Sequence, residues 1–111
     1  MKLKIENNSI TFKIDLIELE EVIKQRPLTI KLNLDQKEPF IFFIEYIKSQ
    51  KLKALQIQNY IGIQFGELDQ REILKQGPSK RGLKVPSENF NVFLQINRLS
   101  FKSKGLKWRS L

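Results

Sequence analysis

Sliding the chain against itself by 51 residues lays positions 8–27 over 59–78, and six of the twenty pairs are identical: Asn8/Asn59, Ile10/Ile61, Glu21/Glu72, Lys24/Lys75, Gln25/Gln76 and Pro27/Pro78. Phe12/Ile63, Ile14/Phe65, Val22/Ile73 and Ile23/Leu74 keep their apolar character. Because letters match as well as pattern, we read two copies of one supersecondary unit. The closing strand joins the repeat if 79–89 is taken as an insertion, since Ile30, Leu32 and Leu34 then fall on Val92, Leu94 and Ile96. The copies span about 1–34 and 53–97, and 111 residues are enough for one modest core. The reading is a single domain over 1–101 followed by a tail over 102–111.

The periodicities inside a copy name its elements. Leu3, Ile5, Ile10, Phe12 and Ile14 alternate with Lys2, Lys4, Glu6, Thr11 and Lys13 around Asn7-Asn8-Ser9, the signature of a hairpin with one wet face. Asp15 followed by Glu18 opens a helix over about 16–25, carried by Leu16, Leu19, Val22 and Ile23 and stopped by Pro27. A third strand alternates through Leu28, Ile30, Leu32 and Leu34, and 40–47 reads as a more apolar fourth, with a helical turn over 46–51 as the competing reading. The second copy gives a hairpin around Asn59-Tyr60, a helix over 68–76 and a late strand. The expected class is α+β: a twisted, mainly antiparallel sheet of six or seven strands, open or closed like a barrel, with two helices on one face.

Charge is unevenly placed. Residues 1–74 hold eleven Lys/Arg and eleven Asp/Glu, whereas 75–111 hold nine Lys/Arg and one acid, Glu88, so the net +8 belongs to the last third. It gathers in the segment 79–89, with Lys80, Arg81 and Lys84, and in the tail, with Lys102, Lys104, Lys107 and Arg109 around Trp108. Both read as loops without helical or strand period. Such an excess points to nucleic acid, an anionic surface or an acidic protein.

With no Cys and no His, thiolate nucleophiles, imidazole triads, disulfides and His or Cys metal sites are excluded. No glycine-rich phosphate loop or nucleophile elbow is present. Among the carboxylates, Asp15 and Glu18 read as helix caps and Glu67 and Asp69 as acids in the first turn of the second helix. A metal-dependent hydrolase built on Glu67 and Asp69 would need further oxygen ligands. The reading is a non-enzymatic domain with no cofactor. The longest apolar run, from Phe40 to Ile44, is five residues, too short to span a bilayer, and the start lacks the apolar core of a signal peptide. The expected setting is a soluble, cytoplasmic one without a membrane partner.

The opening Lys2-Leu3-Lys4-Ile5-Glu6-Asn7-Asn8-Ser9-Ile10-Thr11-Phe12-Lys13, followed by a helix with Glu20 and Glu21, resembles a family of short bacterial proteins of unknown function. The resemblance implies a bacterial origin and a small non-enzymatic domain, and carries over no site residue. Segment 79–89 and the basic tail depart from that family's pattern.

The functional expectation is therefore a surface for RNA or single-stranded DNA. Lys80, Arg81, Lys84, Lys102, Lys104, Lys107 and Arg109 would meet phosphates, while Phe93 and Trp108 would stack on bases. If Val92, Leu94 and Ile96 face the core, Phe93 lies on the opposite face with Gln95 and Asn97, unless the tail folds across it. The alternative is a protein-interaction module, self-associating or bound to an acidic partner through 40–47 or the Phe93 face.

Overall fold

The computed structural model describes residues 1–33 and 38–97. Strands β1 (Lys2–Glu6) and β2 (Ser9–Asp15) pair antiparallel with Leu3 opposite Phe12 and Ile5 opposite Ile10. Pleating then turns Lys2, Lys4, Thr11 and Lys13 to the other side. Helix α1 (Leu16–Ile23) begins where the sequence places its cap: the Glu18 amide donates to Asp15 Oδ1 at 2.8 Å, and the Asp15 amide donates to Glu18 Oε1 at 3.0 Å. The helix ends earlier than 25. Gln25 takes the left-handed region at φ 70°, and the amides of Gln25 and Arg26 donate back to the carbonyls of Val22 and Glu21. This is the Schellman closure that usually employs glycine.

After α1 come β3 (Leu28–Leu32) and β4 (Phe40–Tyr46), then the second hairpin, β5 (Lys53–Ile57) and β6 (Tyr60–Phe65). A 3-10 turn over Glu67–Asp69 leads into α2 (Gln70–Gln76), followed by β7 (Leu83–Val85) and β8 (Asn91–Asn97). The class is α+β, and each copy is a hairpin, a helix and two further strands.

The expected single sheet is corrected: the described residues form two four-stranded sheets, A in the order β1-β2-β8-β7 and B in the order β3-β4-β6-β5. Each takes its hairpin from one copy and its remaining strands from the other. The joining pairs, β2 with β8 and β4 with β6, are parallel and central, so both sheets are mixed. Parallel partners distant in sequence leave no turn signal to read, which is why the pattern suggested a mainly antiparallel sheet.

The insertion is corrected as well. Segment 79–89 contains β7, with Leu83 and Val85 buried on either side of Lys84, a run too short for its alternation to register as a strand. Ile10 pairs with Val92 and its counterpart Ile61 pairs with Phe42, so β4 corresponds to β8 at a shift of 50. Leu28 pairs with Ile44 and Leu83 with Leu94, so β3 corresponds to β7 at a shift of 55. Against the shift of 51 at Pro27/Pro78, four residues are extra in the second copy, Ser79, Lys80, Arg81 and Gly82. The late strand thus matches β4 of the first copy, whereas the sequence alignment had set it against β3.

The inner faces of both sheets, with Leu16, Leu19 and Val22 of α1 and Ile73 of α2, form one core. Phe12 of sheet A meets Phe42 of sheet B edge to face at 6.4 Å, and Ile14, Ile44, Ile63 and Leu94 are fully enclosed around them. At one seam the sheets touch through the backbone, the Ala54 amide donating to the Pro86 carbonyl at 2.8 Å. Among the described residues no helix is long and apolar enough to cross a membrane.

Two substitutions test the local account with opposite signs. Gln25→Gly relieves the left-handed strain and is expected to raise stability by about 0.5–1 kcal/mol, after allowing for glycine's greater freedom in the unfolded chain. Asp15→Ala removes the cap and is expected to cost about 1 kcal/mol. Urea denaturation of the two variants checks both.

Candidate functional site

The face of sheet A turned away from the core is where the sequence-predicted residues of the described region meet. Register arranges it in rows. Phe93 has Thr11 on one side and Lys84 on the other, with Lys4 beyond Thr11. One row along, Gln95 lies beside Lys13, which faces Lys2. On the opposite side Asn91, Ser9 and Glu6 form a third row. With strands about 4.8 Å apart and same-face residues about 6.7 Å apart along a strand, the grid is a shallow patch rather than a deep cleft. It floors a concavity of about 640 Å³.

The four extra residues of the second copy overhang this patch. Ser79 to Gly82 form a tight turn: the Gly82 amide donates to the Ser79 carbonyl and hydroxyl, both at 3.1 Å, and Gly82 sits at φ +85°, which an L side chain rarely adopts. The Gln95 amide ties the turn to the sheet by donating to the Lys80 carbonyl at 2.8 Å. Lys80 and Arg81 are thereby held over the patch, with the Arg81 guanidinium carbon 5.8 Å from the centroid of the Phe93 ring, a cation–π contact.

Lys80, Arg81, Lys84 and Phe93 are thus brought together. Asn97 continues the same strand at its exposed end. Lys102, Lys104, Lys107, Trp108 and Arg109 lie outside the described residues. The sequence reading left out Lys2, Lys4 and Lys13, which it assigned to the wet face of an electrically neutral half. They join the site because β2 pairs with β8, a non-local event that no local pattern announces. Among the described residues six cations therefore share this face with one aromatic ring, Glu6 lines the same concavity, and Asp15, in register with Asn97, is taken up by the helix cap.

The corresponding face of sheet B has the same lattice and different chemistry. Phe43 stands where Phe93 stands in sheet A, but Thr29 takes the place of Lys84 beside it, Leu55 the place of Lys4, and Ile41, Tyr60 and Ile57 form the adjoining row. Ile57 and Tyr60 are 61% and 48% exposed. Gly62 lies beneath the Phe43 ring, whose carbons come within 2.5 Å of where a Cβ would be. The matching position in sheet A is Thr11, whose own side chain fills that space. The Phe93 ring cannot sink onto the strand as Phe43 does, and it meets Arg81 instead.

The acidic alternative finds other employment. Asp69 Oδ2 accepts from the Gly66 amide at 2.9 Å at the start of the 3-10 turn. Among the described residues no group of three or more acidic side chains converges to hold a metal ion. No protein-family model, no curated protein and no solved structure matches the chain.

Proposed function

We propose that this is a non-enzymatic, cytoplasmic binding domain whose outer face of sheet A takes RNA or single-stranded DNA. The observation that carries the reading is the gathering of Lys2, Lys4, Lys13, Lys80, Arg81 and Lys84 around Phe93, with Glu6 opposing them. Cations on strands and on an overhanging turn can follow a phosphate backbone, and an aromatic ring among them offers a stacking surface that any base can use. A duplex keeps its base faces covered, so the ring favours unpaired strands. The tail cations and Trp108 would extend the surface in the same sense.

If about four phosphates are neutralised, the logarithm of affinity should fall against the logarithm of salt with a slope near −3. Fluorescence anisotropy with mixed-sequence single-stranded RNA and DNA between about 50 and 200 mM salt measures it. Lys80→Glu with Arg81→Glu should weaken binding across all sequences and flatten the slope by about 1.4, with an unchanged melting profile. A slope near zero would leave the cations without a role.

The outer face of sheet B supports a second reading, self-association. Ile41, Phe43, Leu55, Ile57 and Tyr60 form an apolar area in which Lys31 and Lys53 are opposed by Glu45. Two chains of net charge +8 can meet there with less repulsion than through sheet A. Light scattering should then show the mass rising from 13.1 kDa toward twice that value with concentration. Ile57→Lys with Tyr60→Lys should abolish the rise, whereas a constant monomer mass would remove this reading.

A further inference from the structure

The arrangement of Arg81, Phe93 and Gln95 carries the site one step further, and this step rests on the nucleic-acid reading above. We infer that the gap between the Arg81 guanidinium and the Phe93 ring is a clamp for one unpaired base, and that Gln95 is the residue that positions it. The two groups are 5.8 Å apart, carbon to centroid. A flat base stacked on both sides needs two intervals of about 3.4 Å, the spacing of stacked bases in a strand, so the guanidinium must withdraw by about 1 Å. The rotatable stem of Arg81, which is solvent-exposed, supplies that movement without displacing the turn.

Three features prepare the gap. Thr11 holds the space under which the equivalent ring of sheet B has sunk, so Phe93 remains available as a floor. Gln95 fixes the Lys80 carbonyl and with it the height of the roof. The side chains of Ser9 and Asn91 line the same concavity and make no hydrogen bond to another described residue, so they can meet the edge of a base. Lys4, Lys13 and Lys84 stand around it where phosphates on either side of that nucleotide would pass. Phe93 is the one aromatic ring that the described residues place on this face, so the clamp holds one base there and leaves that base's immediate neighbours to be bound through their phosphates.

The test compares the full-length protein on a ten-nucleotide oligothymidylate and on the same backbone carrying abasic sites throughout, by anisotropy at about 50 mM salt. Stacking of a base on an aromatic side chain predicts about ten- to hundredfold tighter binding of the natural strand. Phe93→Ala should erase most of that difference while leaving the affinity for the abasic strand unchanged, and Phe93→Trp should keep the difference. Gln95→Leu should narrow it with Phe93 intact, as expected of a positioning residue. Equal binding of both strands by the unmodified protein would overturn the clamp and leave the phosphate surface standing. Binding of neither strand would overturn the nucleic-acid reading, and the clamp with it.

Discussion

Everything in this molecule hangs on the parallel pairing of β2 with β8, and of β4 with β6. Seven register pairs join the first hairpin to the last strand, from Ser9 opposite Asn91 to Asp15 opposite Asn97. The amide of Asn91 extends the pairing by donating to the carbonyl of Asn8, and Ile41 does the same to Asn59 in the other sheet. The repeated asparagine therefore marks the turn against which a distant strand is docked. That pairing aligns Ile10, Phe12 and Ile14 with Val92, Leu94 and Ile96 on the core side. By the same alternation it aligns Thr11 and Lys13 with Phe93 and Gln95 on the outer side.

What could be read in the sequence follows from how far apart the interacting residues lie. The hairpin at Asn7-Asn8, the Asp15/Glu18 cap and the alternation of β6 and β8 are written in neighbours two to four positions apart, and they stand where expected. The strand read over 40–47 ends at Tyr46, and a hydrogen-bonded turn follows it within the competing 46–51, the Gln50 amide donating to the Ile47 carbonyl. Two sheets in place of one, and the parallel centre of each, depend on partners from opposite copies. The same distance explains the site. Phe93 and Gln95 were assignable to one face by counting in twos, and Lys80 and Arg81 stood out by charge. Lys4 and Lys13 belong with them only across a strand pairing between opposite ends of the chain.

The two copies have kept a scaffold and changed its outer surfaces. At one lattice position Thr11 replaces Gly62, at another Lys4 replaces Leu55, and beside them Gln95 replaces Glu45, which in sheet B accepts a hydrogen bond from Gln64. The inner residues of the central strands β2, β8, β4 and β6 stay apolar, because a charge there would have to enter the shared core, and the polar Gln56 on the inner side of β5 lies exposed at the sheet edge. The four additional residues fall where they can reach one outer face without disturbing any pairing. A turn lengthened between a helix and an edge strand costs little in closure entropy, and it brings Lys80 and Arg81 over the outer face, with Arg81 against the Phe93 ring.

The exchange of hairpins between copies has a consequence for the unit itself. One copy owns half of each sheet: a hairpin whose inner strand lacks its parallel neighbour, and a strand pair with an open edge of its own. Left alone, both edges would present unpaired amides and carbonyls together with the apolar residues of β2 or β4. A chain holding a single copy would complete its sheets by meeting an identical chain about a two-fold axis, each lending the other its hairpin. The present fold encloses that symmetric pair in one continuous polypeptide, and the freedom to make the two outer faces differ comes from having done so.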